Sequence, residues 1–183
     1  MAADSRTNAG VDYISSFRKL TVFEEPGERV IALATAGNLA TSQAVTSIVS
    51  ERLGARKGED SIYTSKTMFN VAQIVGRALR QVIDEHGEHV RESGGDPTAT
   101  FILGGQIKDR APRLFLIYAA GNFIEASAET PFLQIGENKY GKPILDRTIS
   151  YDMPIERAVT ASLVSFDSTM RSNLIPQCEV ICR

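Results

Sequence analysis

Three short stretches of the chain carry residue types that can do chemistry. His86-Gly87-Glu88-His89 offers imidazole and carboxylate ligands, but Gly87 is predicted to end a helix and no third ligand is evident, whereas a structural zinc site needs four. Cys178 and Cys182 offer thiols close to the C-terminus, where they cannot staple a fold. Gly104-Gly105 lacks the strand-loop-helix setting of a phosphate-binding loop, so close packing or a bulge in a strand is expected. We therefore expect no metal and no other cofactor.

Two further features have ordinary interpretations when the residue types are considered alone. Asp4 and Lys19 have opposite charges, and by themselves they predict only an ion pair at the surface. Gly37 and Asn38 interrupt an apolar stretch just before a helical pattern, as a strand-to-helix turn does.

Hydrophobic periodicity predicts the elements that would position these residues in the first half of the chain. Residues 19–23 (KLTVF) alternate polar and apolar, and residues 29–36 (RVIALATA) are mostly apolar, which predicts two strands joined by a turn. Apolar residues at helical spacing then predict one helix that begins near Ala40 and stops at Gly54. A second, longer helix follows from Met68, with Gly87 near its end.

The second half of the chain reads as a run of strands followed by one helix. Residues 98–107, 113–118 and 123–127 are predicted strands with short connections, which require antiparallel pairing. Residues 155–170 show a helical apolar stripe. The order β-β-α-α-β-β-β-α predicts an α+β domain in which two antiparallel sheets pack face to face and the helices lie outside.

Composition excludes several classes of function. The 183 residues include 20 Lys and Arg against 22 Asp and Glu, and this balance of charge argues against nucleic acid as a partner. The longest apolar stretches, residues 30–36 and 114–120, are too short to span a membrane, which needs about 20 residues. The N-terminus lacks the pattern of a signal peptide, so we expect a cytoplasmic protein.

Several motifs together resemble one family. Residues 3–6 (ADSR), 18–20 (RKL) and 35–37 (TAG) follow the order of motifs in proteasome-type β subunits. The longer stretches FILGGQIKDR, RLFLIYAAGNFIEA, TPFLQIGENKYGKPILDR and SFDSTMRSNL resemble Anbu, the bacterial ancestral β-subunit branch of that family. The resemblance implies the four-layer αββα sandwich of N-terminal-nucleophile hydrolases.

The resemblance also implies a catalytic arrangement. In the family, the hydroxyl of an N-terminal Thr attacks the peptide carbonyl while its own α-amine acts as the base. By motif position, Lys19 would supply the positive charge beside this hydroxyl and Asp4 would hold Lys19. The backbone N–H of Gly37 would be the oxyanion donor. Asp167 and Ser172 would support the amine.

The same resemblance implies how a peptide substrate binds. Backbone groups at Asn8 and Leu39 would pair with the extended peptide as an added strand. Phe17 and Thr35 would line the pocket beside the scissile bond.

The sequence departs from the family at both ends. No Thr precedes Asp4, although the family has a Thr-led strand, a turn and a second strand there, and the residues after Leu174 do not resemble the family's closing strands. We therefore expect a single proteasome-like domain over residues 1–183 that lacks the N-terminal hairpin and the closing strands, and that is inactive for want of the nucleophile.

The main hypothesis is a proteasome-type threonine peptidase subunit, homo-oligomeric, that acts on peptides or unfolded proteins. Two alternatives remain open. The chain could be a noncatalytic subunit or defective fragment of the family, or an N-terminal-nucleophile amidohydrolase that acts on small amides.

Overall fold

The computed structural model describes residues 1–5, 17–51, 60–172 and 178–182, and twelve elements lie within them. In chain order these are β1 (Ala2–Ala3), β2 (Leu20–Glu25), β3 (Arg29–Gly37), α1 (Leu39–Glu51), α2 (Met68–Glu92), β4 (Ala99–Ile107), β5 (Arg113–Ile117), β6 (Phe123–Glu125), β7 (Phe132–Gly136), α3 (Lys142–Thr148), α4 (Ile155–Ser172) and β8 (Cys178–Cys182).

The larger sheet has five antiparallel strands in the order β2-β3-β4-β5-β6. Its central strand β4 is apolar on both sides because both faces are covered, and Phe101, Ile102 and Leu103 are fully buried. The register places Thr35 of β3 opposite Phe101 of β4. This strand pairing sets the position at which β3 ends and α1 begins.

The smaller sheet has three antiparallel strands in the order β1-β8-β7. Strand β1 contributes only Ala2 and Ala3, which pair with Val180 and Glu179 of β8. The polypeptide reaches Asp4 immediately after this short pairing.

The helices and sheets form four layers, and an apolar cluster fills each of the three spaces between neighbouring layers. One lies between α1, α2 and the larger sheet, with Val45, Leu79 and Phe101 among its members. A second, which includes Ala34 and Leu133, lies between the two sheets. A third joins the smaller sheet to α3 and α4. This arrangement confirms the predicted α+β class and the αββα sandwich.

The predicted strands of the larger sheet and the three predicted helices are present, with some differences. Strands β1, β7 and β8 and helix α3 were not predicted. The prediction that Gly87 ends its helix is wrong, because α2 continues to Glu92. Its C-terminus is formed instead around Gly94, where φ is 83° and the N–H donates to Arg91 O.

Within the described residues, no helix combines the length and the apolar character needed to cross a membrane. The longest, α2, carries charged residues along its exposed face.

Candidate active site

A buried ion pair forms the centre of the candidate site. Lys19 Nζ lies 3.1 Å and 3.2 Å from the two carboxylate oxygens of Asp4, with 7% and 11% of the two side chains exposed. The N–H of Phe17 donates to Ser5 O at 2.8 Å, so the two backbone segments run side by side. The pair thus joins the segment after β1 to the segment that leads into β2.

Gly37 lies at the junction of β3 and α1 in a conformation that suits glycine. Its φ is 103°, and a Cβ built on it would lie 2.5 Å from Thr98 O. The next residue, Asn38, donates its N–H to Thr98 O and accepts the N–H of Thr41 at its side-chain Oδ1, which caps α1. Gly37 is exposed, and the helix N-terminus beside it favours negative charge.

Thr35 connects the ion pair to the start of α1. Its N–H donates to Lys19 O at 3.1 Å, and its hydroxyl donates to Ser42 Oγ at 2.6 Å. Ser42 in turn donates to Asn38 O at 2.8 Å. Hydrogen bonds therefore fix Lys19 and the N-terminus of α1 to the same end of β3.

An open pocket of about 430 Å³ lies between α1 and the ends of β2 and β3. It is lined mostly by polar side chains, and its lining residues are Phe17, Arg18, Lys19, Thr21, Leu33, Thr35, Gln43, Thr46, Ser47, Ser50 and Glu51. The contribution of α1 was not predicted from the sequence. A signal was present, because Ser42, Thr46 and Ser50 follow one another at four-residue spacing along the helix.

A second pocket of about 310 Å³ borders the ion pair on another side. Its lining includes Ala3, Asp4, Ser5, Phe17 and Lys19. The ion pair is therefore reached from two cavities.

The structure brings together most of the predicted site residues, but not all. Lys19, Phe17 and Thr35 line one pocket, and Leu39 is the first residue of α1. Asn8 lies outside the described residues.

Asp167 and Ser172 lie on α4, in the helical layer that packs on the smaller sheet. The side chain of Asp167 is 57% exposed and accepts from Arg171 Nε at 2.9 Å, and this contact with an exposed charged group holds the pKa of Arg171 above its usual value. The helical i,i+4 spacing explains this partner. The contact of Asp167 with Arg171 is thus made within α4. Ser172 is exposed at the end of this helix.

The histidine stretch of α2 and the glycine pair of β4 make contacts that the fold itself explains. His89 lies on the exposed side of α2 beside Glu92, and the described residues contain no group of three or more potential metal ligands. Gly105 lies within β4, close against the backbone of Val30 and Ile31, as expected for a tightly packed strand.

Two antiparallel sheets between two helical layers, with this site at one end of the larger sheet, define the fold of the N-terminal-nucleophile hydrolases. Comparison with solved structures then gives the family. Anbu from Yersinia bercovieri is 46% identical, with a TM-score of 0.86 over 98% of this chain and 76% of that chain. Anbu from Pseudomonas aeruginosa, solved as a helical assembly of the Anbu complex, is 44% identical, with a TM-score of 0.88 over 99% and 75%.

Anbu from Hyphomicrobium sp. strain MC1 is 46% identical, with a TM-score of 0.84 over 99% of this chain and 75% of that chain. No protein-family model and no curated protein matches the chain. The chain belongs to the Anbu family of proteasome-like β-subunit homologues.

Proposed function

We propose that this site is that of a proteasome-type threonine peptidase, which hydrolyses peptide bonds through an acyl-enzyme. The observation that carries the proposal is the buried pair of Lys19 and Asp4, held at the same end of β3 as the exposed N-terminus of α1. A buried ammonium beside an open pocket is suited to stabilise negative charge on an adjacent oxygen.

The chemistry has two stages. The hydroxyl of an N-terminal Thr attacks the peptide carbonyl and gives its proton to the terminal amine, which passes it to the leaving amine. Water then hydrolyses the ester and restores the hydroxyl. In this scheme Lys19 stabilises the alkoxide, Asp4 fixes Lys19, and the N–H of Gly37 donates to the oxyanion.

The peptide would lie in extended form between the residues predicted to bind it. We assign backbone pairing to Leu39 and Asn8. The residue next to the scissile bond would place its side chain in the 430 Å³ pocket beside Phe17 and Thr35.

A polypeptide of these 183 residues has no Thr that could carry the reaction at its N-terminus. If Met1 is removed, Ala2 offers an amine without a hydroxyl. Thr7 is internal and has no free amine. We therefore expect this polypeptide alone to leave peptides uncleaved.

The experiment is a graft. A Thr-led strand-turn-strand from a family member is joined before Ala2, together with the family's C-terminal strands, and hydrolysis of fluorogenic peptides is measured. We expect activity in the graft, none in the original polypeptide, and loss of turnover in the graft that carries Lys19→Ala. Lys19→Arg should also be severely impaired, because the planar guanidinium is larger than an ammonium and spreads its charge over three nitrogens.

The matched control is Lys142→Ala, which removes an exposed lysine that is also paired with an aspartate, Asp146. Its activity should equal that of the graft. Activity in the original polypeptide would refute the assignment of the nucleophile. Full activity of the Lys19→Ala graft would refute the role of Lys19, and an inactive graft that is folded would refute the proposed function.

We also propose that the chain associates with copies of itself. The Pseudomonas aeruginosa relative forms a helical assembly. On this chain, α4 exposes the apolar side chains of Ile155, Val159 and Leu163 at four-residue spacing, which forms one stripe on the outer helical layer.

A further inference from the structure

Asn38, the residue between β3 and α1, forms hydrogen bonds through both ends of its side-chain amide and through both of its backbone groups. Nδ2 donates to Asp96 O at 2.8 Å, and Oδ1 accepts the N–H of Thr41 at 3.0 Å. The backbone N–H donates to Thr98 O at 2.8 Å, and the backbone carbonyl accepts the N–H and the hydroxyl of Ser42 at 3.0 Å and 2.8 Å. Asn38 therefore ties the turn before β4 to the first turn of α1.

The two side-chain partners of Asn38 together require an amide. Asp96 O is a carbonyl that can only accept, whereas the N–H of Thr41 can only donate. A carboxylate could replace the acceptor that caps α1, because Asp and Asn are equally good N-cap residues. It has no hydrogen to give to Asp96 O, so it would keep the cap and lose the tie to the turn.

The N–H of Gly37 is directed to the side of β3 on which Lys19 lies. The N–H of Thr35 donates to Lys19 O at 3.1 Å, and N–H groups two residues apart in a strand point the same way. The register pairs Leu20, the first residue of β2, with Ala34. In the described part of the chain, β2 thus begins beyond the point at which it could pair with Gly37, and the N–H of Gly37 faces the candidate site.

Asn38 lies between two backbone groups to which the proposed function gives roles. The N–H of Gly37 would donate to the oxyanion, and the backbone of Leu39 would pair with the peptide. The hydrogen bonds of Asn38 fix the backbone between these two groups. A change of its side chain can therefore alter the site without removing any group assigned to the reaction.

We infer that Asn38 is a positioning residue for the oxyanion donor, and that its side chain must be neutral as well as bonded at both ends of the amide. The inference rests on the proposed function, in which negative charge develops beside the N–H of Gly37. A carboxylate at residue 38 would place a like charge one residue from this donor, which opposes the oxyanion. The same substitution would leave Asp96 O without its donor.

Steady-state hydrolysis by the Thr-led graft separates this role from helix capping. Asn38→Asp should lower kcat at least about tenfold and change KM less than about twofold, because the added charge acts mainly on the transition state. Asn38→Ser keeps a neutral cap on a side chain that is one bond shorter and has no amide donor. It should lower kcat by about three- to fivefold, since only the tie to Asp96 O is lost.

The matched control is Thr67→Asp, which places the same charge on the N-cap of another helix. Thr67 Oγ1 accepts the N–H of Asn70 at 3.1 Å and caps α2. The first residue of α2, Met68, lies against Gly105 toward the other end of β4 from the junction with Gly37. The control should keep both kcat and KM.

Amide hydrogen exchange in the 183-residue chain tests the positioning without hydrolysis. The bond from the N–H of residue 38 to Thr98 O protects this amide, and NMR follows its exchange. We expect exchange about five- to tenfold faster in Asn38→Ser and Asn38→Asp, with unchanged rates in the middle of β4. Thr67→Asp should leave the rate at Asn38 unchanged. A general loss of stability would instead accelerate both regions.

The inference is overturned if the Asn38→Asp graft keeps its kcat, if its loss lies in KM alone, or if Thr67→Asp loses kcat to the same extent. Unchanged exchange at residue 38 in both variants would also overturn it. An active graft that tolerates Asn38→Asp would retain the peptidase and reject the role of Asn38. A graft that is folded but inactive would refute the proposed function, and with it any oxyanion beside Gly37.

Discussion

Gly37 is subject to two constraints at once. Its positive φ disfavours any residue with a side chain, and the carbonyl of Thr98 occupies the space of a Cβ. We predict that Gly37→Ala lowers the free energy of unfolding by about 2 to 4 kcal/mol, because strain and a forced backbone shift add. The measurement is urea-induced unfolding of the 183-residue chain.

Gly27 provides the matched control for Gly37. Its φ is also positive, at 78°, but nothing lies within 4 Å of the position of its Cβ. Gly27→Ala should therefore cost only about 1 kcal/mol. Equal losses for the two variants would show that the carbonyl of Thr98 does not constrain the junction.

The buried ion pair of Asp4 and Lys19 leads to a second prediction about a single residue. Asp4→Asn leaves the ammonium of Lys19 buried without its carboxylate, and we expect a loss of about 3 kcal/mol in the free energy of unfolding. Asp146→Asn breaks the exposed pair with Lys142 and should cost less than about 1 kcal/mol. The same denaturation experiment compares them, and losses of equal size would contradict the burial argument.

Only the motifs around Asp4 and Lys19 predict that these two residues form a pair at the site. Residue types alone predict an ordinary surface pair for Asp4 and Lys19, since burial depends on two sheets that meet only in the folded chain. The polar wall formed by Thr46 and Ser50 escaped prediction for a related reason. Helical periodicity identifies the apolar side of α1, but it does not say which polar residues border a cavity.

At the scale of elements, the turn before β4 holds the start of α1. Asp96 O accepts from Asn38 Nδ2, and Pro97 O accepts from the hydroxyl of Thr41. The carboxylate of Asp96 accepts the N–H and the hydroxyl of Thr98, and these bonds lower its pKa below the usual value. The turn thus organises both the helix cap and the contact with Gly37.

A depressed pKa in the folded state means that Asp96 stabilises the protein above the pKa of the unfolded chain, about 3.9. This stabilisation is lost as pH falls through the lower, folded-state pKa. We predict that Asp96→Asn lowers the melting temperature modestly at pH 7, and that the difference from the original chain shrinks below about pH 4. Thermal melts from pH 7 to pH 2.5 measure it. A difference that grows in acid would contradict the assignment.

Long elements were predictable because their hydrophobic period repeats several times. Strand β1 has two residues and exists only through its pairing with β8, so no local pattern could identify it. Helix α3 has seven residues, too few to show a period. Glycine commonly stops helices, so the sequence pattern predicts an end at Gly87, but α2 stops at Gly94, where φ is positive.

At the scale of the whole molecule, the apolar stripe of α4 should control association. We predict that the chain forms oligomers at micromolar concentration, and that Ile155→Glu with Leu163→Glu shifts it to monomers, because charges on the stripe would have to be buried. Light scattering after size exclusion gives the mass.

Ile124→Glu is the control for association, since Ile124 is also an exposed apolar residue but lies on β6 of the larger sheet, away from the stripe of α4. Its oligomer should persist. A well-folded monomer of the original chain would contradict the prediction, as would a double variant that still associates.

The ion pair has a further consequence, because its two members come from different sheets. Asp4 follows a strand of the smaller sheet and Lys19 leads into the larger one. The larger sheet could form, or survive a local opening of the smaller sheet, without assembling this pair. Under the proposed function, a competent site therefore requires that both sheets have formed. On that proposal, a subunit in which only the larger sheet has formed would leave peptides uncleaved, so activity would report on the completeness of folding.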